Sequence, residues 1–163
     1  YATNRIVVWQ DPFKFADGRG YQIVQSLYAI GSGGLTGLGL GGSRQKQLYL
    51  PEEHNDFIFA VVCEELGFIG ATVILVFFAM LIIRGYWLAL QMRDKYNFLV
   101  VTGIITLLAI QTILNVAVVT NLVPCTGISL PFFSYGGTAL VMQLTEVGIV
   151  LSAARENPKD LTD

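Results

Sequence analysis

Residues 66–83 of the chain read LGFIGATVILVFFAMLII, an uninterrupted run of 18 residues without a formal charge. Because about 20 apolar residues are needed for a helix to cross a bilayer, this run predicts a membrane-spanning helix. A second uncharged run, residues 96–145, has 50 residues, which is too long for one span, and Pro124 and Pro131 interrupt it. Since proline breaks helices, the second run predicts two further spans joined by a loop.

The composition of the whole chain is typical of a membrane protein. Of the 163 residues, 53% are hydrophobic and 13% are charged, whereas roughly 25% are charged in an average soluble domain. The net charge of -2 provides no basic surface and excludes nucleic acid as a partner. Two cysteines and one histidine make neither a disulfide framework nor a metal-ligand cluster. The chain begins with Tyr1 and has no signal-peptide pattern, so we expect it to be the carboxy-terminal part of a longer protein.

The predicted fold is an all-α integral membrane protein with three transmembrane helices, preceded by a large extracytoplasmic loop with short helices. Basic residues lie between the first and second spans and after the third, so the positive-inside rule places both segments in the cytoplasm. The predicted segments are a large extracytoplasmic loop at 1–56, transmembrane helices at 57–83, 98–120 and 136–154, a cytoplasmic connection at 84–97, an extracytoplasmic or re-entrant loop at 121–135, and a cytoplasmic tail at 155–163.

The glycine-rich part of the first loop and the polar residues of the spans add detail to this predicted fold. Nine of the 17 glycines lie between Gly18 and Gly42, which disfavours regular helix there and permits tight turns, whereas residues 21–30 have the spacing of a short interfacial helix. The predicted spans also contain polar residues that need partners or a water-filled cavity, and we expect further helices to supply those partners. These residues are Glu64, Glu65, Gln111, Asn115, Gln143 and Glu146.

The densest polar segment is SRQKQLYLPEEHNDF, residues 43–57, which precedes the first span. Asp56 or Asn55 could cap that helix, because Asp and Asn side chains accept bonds from free amides at a helix N-terminus. Alternatively, a partly desolvated carboxylate at the membrane surface can act as a general base. Arg44 and Lys46 could hold a phosphate-bearing ligand, although contact with lipid headgroups explains them equally well.

Two stretches resemble the signatures of the SEDS family of cell-wall polymerases (shape, elongation, division and sporulation). Residues 37–70, GLGLGGSRQKQLYLPEEHNDFIFAVVCEELGFIG, resemble the central signature, and residues 115–139, NVAVVTNLVPCTGISLPFFSYGGTA, resemble the second, P-x-x-G-x-x-x-P-x-x-S-Y-G-G. The S-R-Q-K and L-V-P forms are more similar to the division and sporulation members than to the rod-elongation member. Such members have ten transmembrane helices, so the resemblance implies that this chain holds the last three.

The resemblance also implies an activity. Family members are peptidoglycan glycosyltransferases that join lipid II disaccharides and release undecaprenyl pyrophosphate. The Asp of the H-x-D-F-I-F motif is essential in the family, and here it is Asp56. We therefore expect Asp56 to be the catalytic base, with substrate-binding roles for Arg44, Lys46, Glu53, His54, Ser134 and Tyr135.

Cofactor, partners and location follow from the same resemblance. A divalent cation, Mg²⁺ or Mn²⁺, could stabilise the departing pyrophosphate, but the sequence shows no dedicated ligand set and no cofactor is predicted with certainty. The expected partners are lipid II, a cognate class B penicillin-binding protein acting as transpeptidase, other divisome proteins and membrane lipids. The expected location is the bacterial plasma membrane, with several spans and the active site facing outside.

Several alternatives stay open at the level of sequence. A polytopic protein with broken helices and buried carboxylates could instead be a lipid II transporter (flippase), and a third reading is a scaffold that recruits a transpeptidase. The segment from Pro124 to Gly137 could form the floor of the substrate cleft or simply shape the loop. Glu64 and Glu65 are better explained by structural pairing than by catalysis. Asn121 departs from the small residue or Thr expected in the second signature.

Overall fold

The computed structural model describes residues 2–16, 18, 20–39, 41, 56–133 and 136–155. The described chain folds into helices. A short helix α1 (Ala2–Gln10) leads through a 3-10 turn (Pro12–Phe15) into α2 (Tyr21–Gly33), and three long helices follow, α3 (Ile58–Leu90), α4 (Lys95–Val119) and α5 (Gly137–Arg155).

The three long helices are each long and apolar enough to cross a membrane, which confirms the predicted all-helical class with three spanning helices. The predicted span at 57–83 starts one residue before α3, and α3 continues to Leu90, so Arg84 is helical. Its guanidinium lies 4.2 Å from the centroid of the Trp87 ring, an arrangement suited to a membrane interface. Which side of the membrane each helix end faces stays a prediction.

Helix α3 is interrupted at Gly67, where φ is 66° and ψ is -170°. That conformation is essentially restricted to glycine. An interruption leaves carbonyls before it and amides after it without helical partners, and residues 34–39 supply those partners. Four backbone hydrogen bonds do so: Leu38 N to Glu64 O at 3.0 Å, Gly39 N to Glu65 O at 3.0 Å, Phe68 N to Gly34 O at 2.9 Å and Ile69 N to Leu35 O at 3.2 Å.

The interruption divides α3 into two parts of different length. The whole helix has 33 residues and is roughly 50 Å long at 1.5 Å per residue, well above the thickness of about 30 Å of a bilayer core. The part after the break, residues 68–90, is about 34 Å long and can span the core by itself. The part before it packs with α2 and residues 34–39 alongside.

The helices pack in two apolar clusters at opposite ends of the α3–α4 pair. The first joins α1, α2, the start of α3 and the end of α4, and Phe57 and Leu130 are its largest fully buried members. The second joins the end of α3 to the start of α4 and the end of α5 around Val101. Gly33 of α2 lies so close to α3 that a Cβ there would collide with the carbonyl of Cys63. The first cluster therefore brings residue 56 and residues 121–133 to one end of the molecule.

Candidate functional site

Asp56 lies in the turn directly before α3 and is half-buried. The residue that follows it, Phe57, is 1% exposed and anchors the turn in the first apolar cluster. Phe57 also occupies the N-cap of α3, and its side chain makes no capping hydrogen bond. Asp56 therefore stands one residue before the N-cap position, on a backbone that the burial of its neighbour fixes.

Asn115 of α4 joins this turn to the loop that follows α4. Its side-chain Nδ2 donates to the backbone carbonyl of Asp56 at 2.8 Å and to the backbone carbonyl of Ile128 at 2.8 Å. Asn115 is itself fully buried. The bridge connects residues 59 positions apart in the chain, and it ties the start of α3 to the 121–133 loop.

Gly127 of that loop faces the Asp56 carboxylate. It has a positive φ of 75°, and a Cβ built on it would lie 3.5 Å from Asp56 Oδ2. Gly127 is exposed, so the lack of a side chain leaves room beside the carboxylate. The two segments that carry the SEDS-like signatures, distant in sequence, thus meet at Asp56.

Helix α1 holds the other side of the loop. Arg5 Nη1 donates to the carbonyl of Cys125 at 2.7 Å, and Trp9 Nε1 donates to the carbonyl of Asn121 at 3.0 Å. Asn121 Nδ2 donates in return to the carbonyl of Trp9 at 3.4 Å. Asn121 has a φ of 58°, and Asn is one of the few residues that tolerate this left-handed conformation. The backbone conformation gives a physical reason for the residue that departs from the family pattern.

Helix α5 closes the far end of the loop. The backbone amide of Phe132 donates to Gln143 Oε1 at 2.8 Å. Gln143 and Asn115 were both expected to need partners from further helices. Within this chain, backbone groups of the 121–133 loop bond both side chains, and the turn before α3 bonds Asn115 as well. No role was predicted for Arg5 or Trp9 from the sequence, although both lie in the stretch NRIVVWQDPF, residues 4–13, which also resembles the family. Asn115 did carry a signal, since a polar residue in an apolar helix is costly unless it is used.

The predicted carboxylates farther along α3 lie beside the interruption. Glu64 is 1% exposed, and Glu65 Oε1 is buried with no hydrogen-bond partner among the described residues. Their backbone carbonyls are the ones that residues 38 and 39 satisfy. Both residues therefore belong to the packing of α2 and its following segment against α3.

The other predicted site residues lie outside the described residues, and their positions relative to Asp56 stay predictions: Arg44, Lys46, Glu53, His54, Ser134 and Tyr135. Within the part of the chain that the structure describes, no three His, Cys, Asp or Glu side chains are grouped closely enough to hold a metal ion.

Comparison with curated proteins gives strong similarity over nearly the whole chain. Stage V sporulation protein E of Bacillus subtilis (strain 168) is 52% identical over 155 residues, which cover 95% of this chain and 42% of that protein. The probable peptidoglycan glycosyltransferase FtsW of Geobacter sulfurreducens (strain DL-1 / KN400) is 47% identical over 152 residues, covering 93% and 41%. The chain thus spans about two-fifths of the length of these relatives.

A solved structure and a family model agree with these relatives. The structure, described as "Structural coordination of polymerization and crosslinking by a peptidoglycan synthase complex", contains a chain that is 30% identical with a TM-score of 0.79. The match covers 96% of this chain and 42% of that one. The sequence model of the family of cell cycle proteins FtsW, RodA and SpoVE matches residues 1–159 of this chain. The resemblance inferred from the two signatures is confirmed, and the chain belongs to the FtsW/RodA/SpoVE family of cell cycle proteins.

Proposed function

We propose that this chain forms part of a peptidoglycan glycosyltransferase that polymerises lipid II during cell division or sporulation, with Asp56 as the general base. The observation that carries the proposal is the position of the Asp56 carboxylate, half-buried beside the exposed, side-chain-free Gly127. The names of the relatives supply the reaction class. The family membership supports the site, because both signature segments converge on this carboxylate.

The reaction needs one well-placed base. The 4-hydroxyl oxygen of the acceptor sugar forms a bond to the donor anomeric carbon, whose bond to the pyrophosphate oxygen breaks. The hydroxyl proton passes to the Asp56 carboxylate, and the bonding electron pair leaves with undecaprenyl pyrophosphate. Positioned general bases of this kind contribute about 10²–10⁴-fold in rate. Asp56 is half-buried, and the neighbouring Gly127 has no side chain that would hinder the approach of a hydroxyl.

The remaining roles concern binding. Arg44 and Lys46 stabilise the charge of the departing pyrophosphate, with a divalent cation such as Mg²⁺ or Mn²⁺ as an additional source of positive charge. Glu53, His54, Ser134 and Tyr135 contact the saccharide. We further propose a class B penicillin-binding protein and other divisome proteins as partners, and an active site on the outer face of a bacterial plasma membrane. The likeness to a chain of a peptidoglycan synthase complex supports a synthase partner.

A lipid II transporter is the main alternative, because transporters use interrupted helices at their binding sites. In this chain, residues 34–39 make four hydrogen bonds to the backbone groups beside the interruption at Gly67. Those backbone groups are therefore not available to bind a transported ligand. That arrangement favours an enzyme over a transporter. A scaffold that recruits a transpeptidase would not depend on the Asp56 carboxylate at all.

The test is lipid II polymerisation in vitro by the full-length protein with its penicillin-binding partner, comparing wild type with Asp56→Asn. The substitution keeps the size of the side chain and removes its basicity, so the rate should fall by about 10²–10⁴-fold or more while membrane insertion and partner binding persist. A scaffold would tolerate the change, whereas a transporter would lose translocation.

The matched control is Asp94→Asn. Asp94 caps α4 by accepting a hydrogen bond from the backbone amide of Asn97 at 3.3 Å. Asn caps helices as well as Asp does, so this variant should keep its activity. Near-normal polymerisation by a correctly inserted Asp56→Asn protein would overturn the assignment and direct attention to His54 and Glu53.

A further inference from the structure

Asn115 is an unusual residue for its place in the fold. It lies near the carboxyl end of α4, a helix apolar enough to cross a membrane, and it is fully buried. A polar side chain in such a place is costly unless its hydrogen-bonding groups are used. Asn115 donates both N–H groups of its amide to two other segments rather than to its own helix.

The orientation of the Asn115 amide follows from its partners. Both groups within hydrogen-bond distance of its nitrogen are backbone carbonyl oxygens, of Asp56 and of Ile128, at 2.8 Å each. Carbonyl oxygens can only accept, so the NH₂ group must face them, and both of its hydrogens are used. Oδ1 of Asn115 is buried without a hydrogen-bond partner among the described residues. The hydrogen bonds of this amide are therefore made through its two N–H donors.

These two donors fix the geometry around the carboxylate. One holds the peptide of Asp56, and the other holds the residue next to Gly127, whose missing side chain faces Asp56 Oδ2. Arg5 and Gln143 also bond this loop, but they bond it at Cys125 and Phe132, whereas Asn115 bonds it at Ile128. The Asn115 amide thus bonds directly to both of the segments that border the carboxylate.

We infer that Asn115 is a positioning residue for glycosyl transfer: it acts through Asp56, by clamping the turn before α3 to the 121–133 loop. The inference rests on the proposed role of Asp56. A displacement of about 1 Å at a reacting group costs on the order of 10²-fold in rate. Loss of the clamp should therefore reduce kcat while the KM for lipid II, set by groups elsewhere, stays unchanged.

The test uses the full-length protein with its penicillin-binding partner and lipid II as substrate. Asn115→Leu removes both donors at similar volume, and Asn115→Asp keeps the shape of the side chain while leaving at most one donor. We expect kcat per folded enzyme to fall by about 10²-fold in both variants, with KM unchanged. A slowed Asp56→Glu background provides the second readout: if Asn115 acts through residue 56, adding Asn115→Leu slows that background far less than it slows wild type.

The control is Thr112→Val, one turn earlier on the same buried side of α4. Thr112 Oγ1 donates only to the carbonyl of Leu108 in its own helix, at 2.9 Å, so kcat should not change. Thermal unfolding in detergent, measured in parallel, gives the folded fraction. A merely structural role would lower the folded fraction and leave kcat per folded enzyme as in wild type.

The outcomes separate the two proposals. A wild-type kcat in folded Asn115→Leu or Asn115→Asp overturns the positioning role, and an inactive Asp56→Asn in the same assay leaves the general base standing. Equal slowing of wild type and of the Asp56→Glu background also overturns it, because Asn115 would then act independently. If Asp56→Asn itself polymerises normally, the assignment of Asp56 as general base fails, and the positioning role fails with it.

Discussion

The interruption of α3 gives the sharpest prediction about stability. We expect Gly67→Ala to destabilise the protein strongly, because position 67 adopts φ 66° and ψ -170°. A new Cβ there would collide with the amide nitrogen of Gly37 and lie 2.7 Å from the carbonyl oxygen of Leu35 and from the carbonyl carbon of Thr36. All three are backbone atoms, which cannot rotate away as a flexible side chain could.

Two ways of accommodating the methyl group can be compared. If the backbone stays in place, the disfavoured conformation costs about 1–3 kcal/mol and the overpacking about another 1–3 kcal/mol. If residues 34–39 withdraw instead, the four backbone hydrogen bonds across the break are lost. At about 0.5–1.5 kcal/mol each, their loss costs roughly 2–6 kcal/mol. Either route predicts a loss of at least about 2 kcal/mol.

The assay is thermal unfolding of the full-length protein in detergent. Gly39→Ala isolates the conformational part, since Gly39 has a φ of 93° and nothing lies within 4 Å of its Cβ position. Gly103→Ala is the neutral control, because Gly103 is helical and has nothing within 4 Å. We expect Gly67→Ala to be the least stable, Gly39→Ala intermediate, and Gly103→Ala unchanged or up to about 1 kcal/mol more stable. Equal stability of Gly67→Ala and Gly103→Ala would refute the conclusion that residues 34–39 pack too closely against Gly67 to admit a side chain.

Two further predictions concern the loop and the topology. Gly127→Ala should lower the free energy of unfolding by about 1–2 kcal/mol, because φ is 75° there. It should also slow polymerisation, because it places a methyl group beside Asp56. The control Gly148→Ala, with nothing within 4 Å of its Cβ position, should have neither effect in the same assays. In a background that lacks Cys63 and Cys125, an impermeant thiol reagent applied to intact cells should label Leu122→Cys and not Asp94→Cys, because the positive-inside rule puts the 84–97 connection in the cytoplasm. The reverse pattern would contradict the predicted orientation.

The spanning helices could be predicted from the sequence because each depends on a local property. Uncharged apolar runs of about 20 residues have few alternatives to a membrane helix. The predicted starts and ends of α4 and α5 lie within three residues of those in the structure. The α3 prediction ended seven residues early, at residue 83, because Arg84 was taken as the end of the apolar run. A single cation near a helix end can remain helical when its charged group reaches the interface.

From the sequence alone we could predict the helical membrane class, the three long helices and, through two signatures, Asp56 as the residue to test. These conclusions rest on composition, charge spacing and short motifs, which are all local in the chain. Three features became visible only in the folded chain: Gly67 interrupts α3, residues 34–39 bond the backbone groups at the break, and Asn115 links Asp56 to the loop around Gly127. Each of these depends on backbone groups brought together from distant positions, and backbone amides and carbonyls are the same in every residue except proline, so no sequence pattern records which of them will meet.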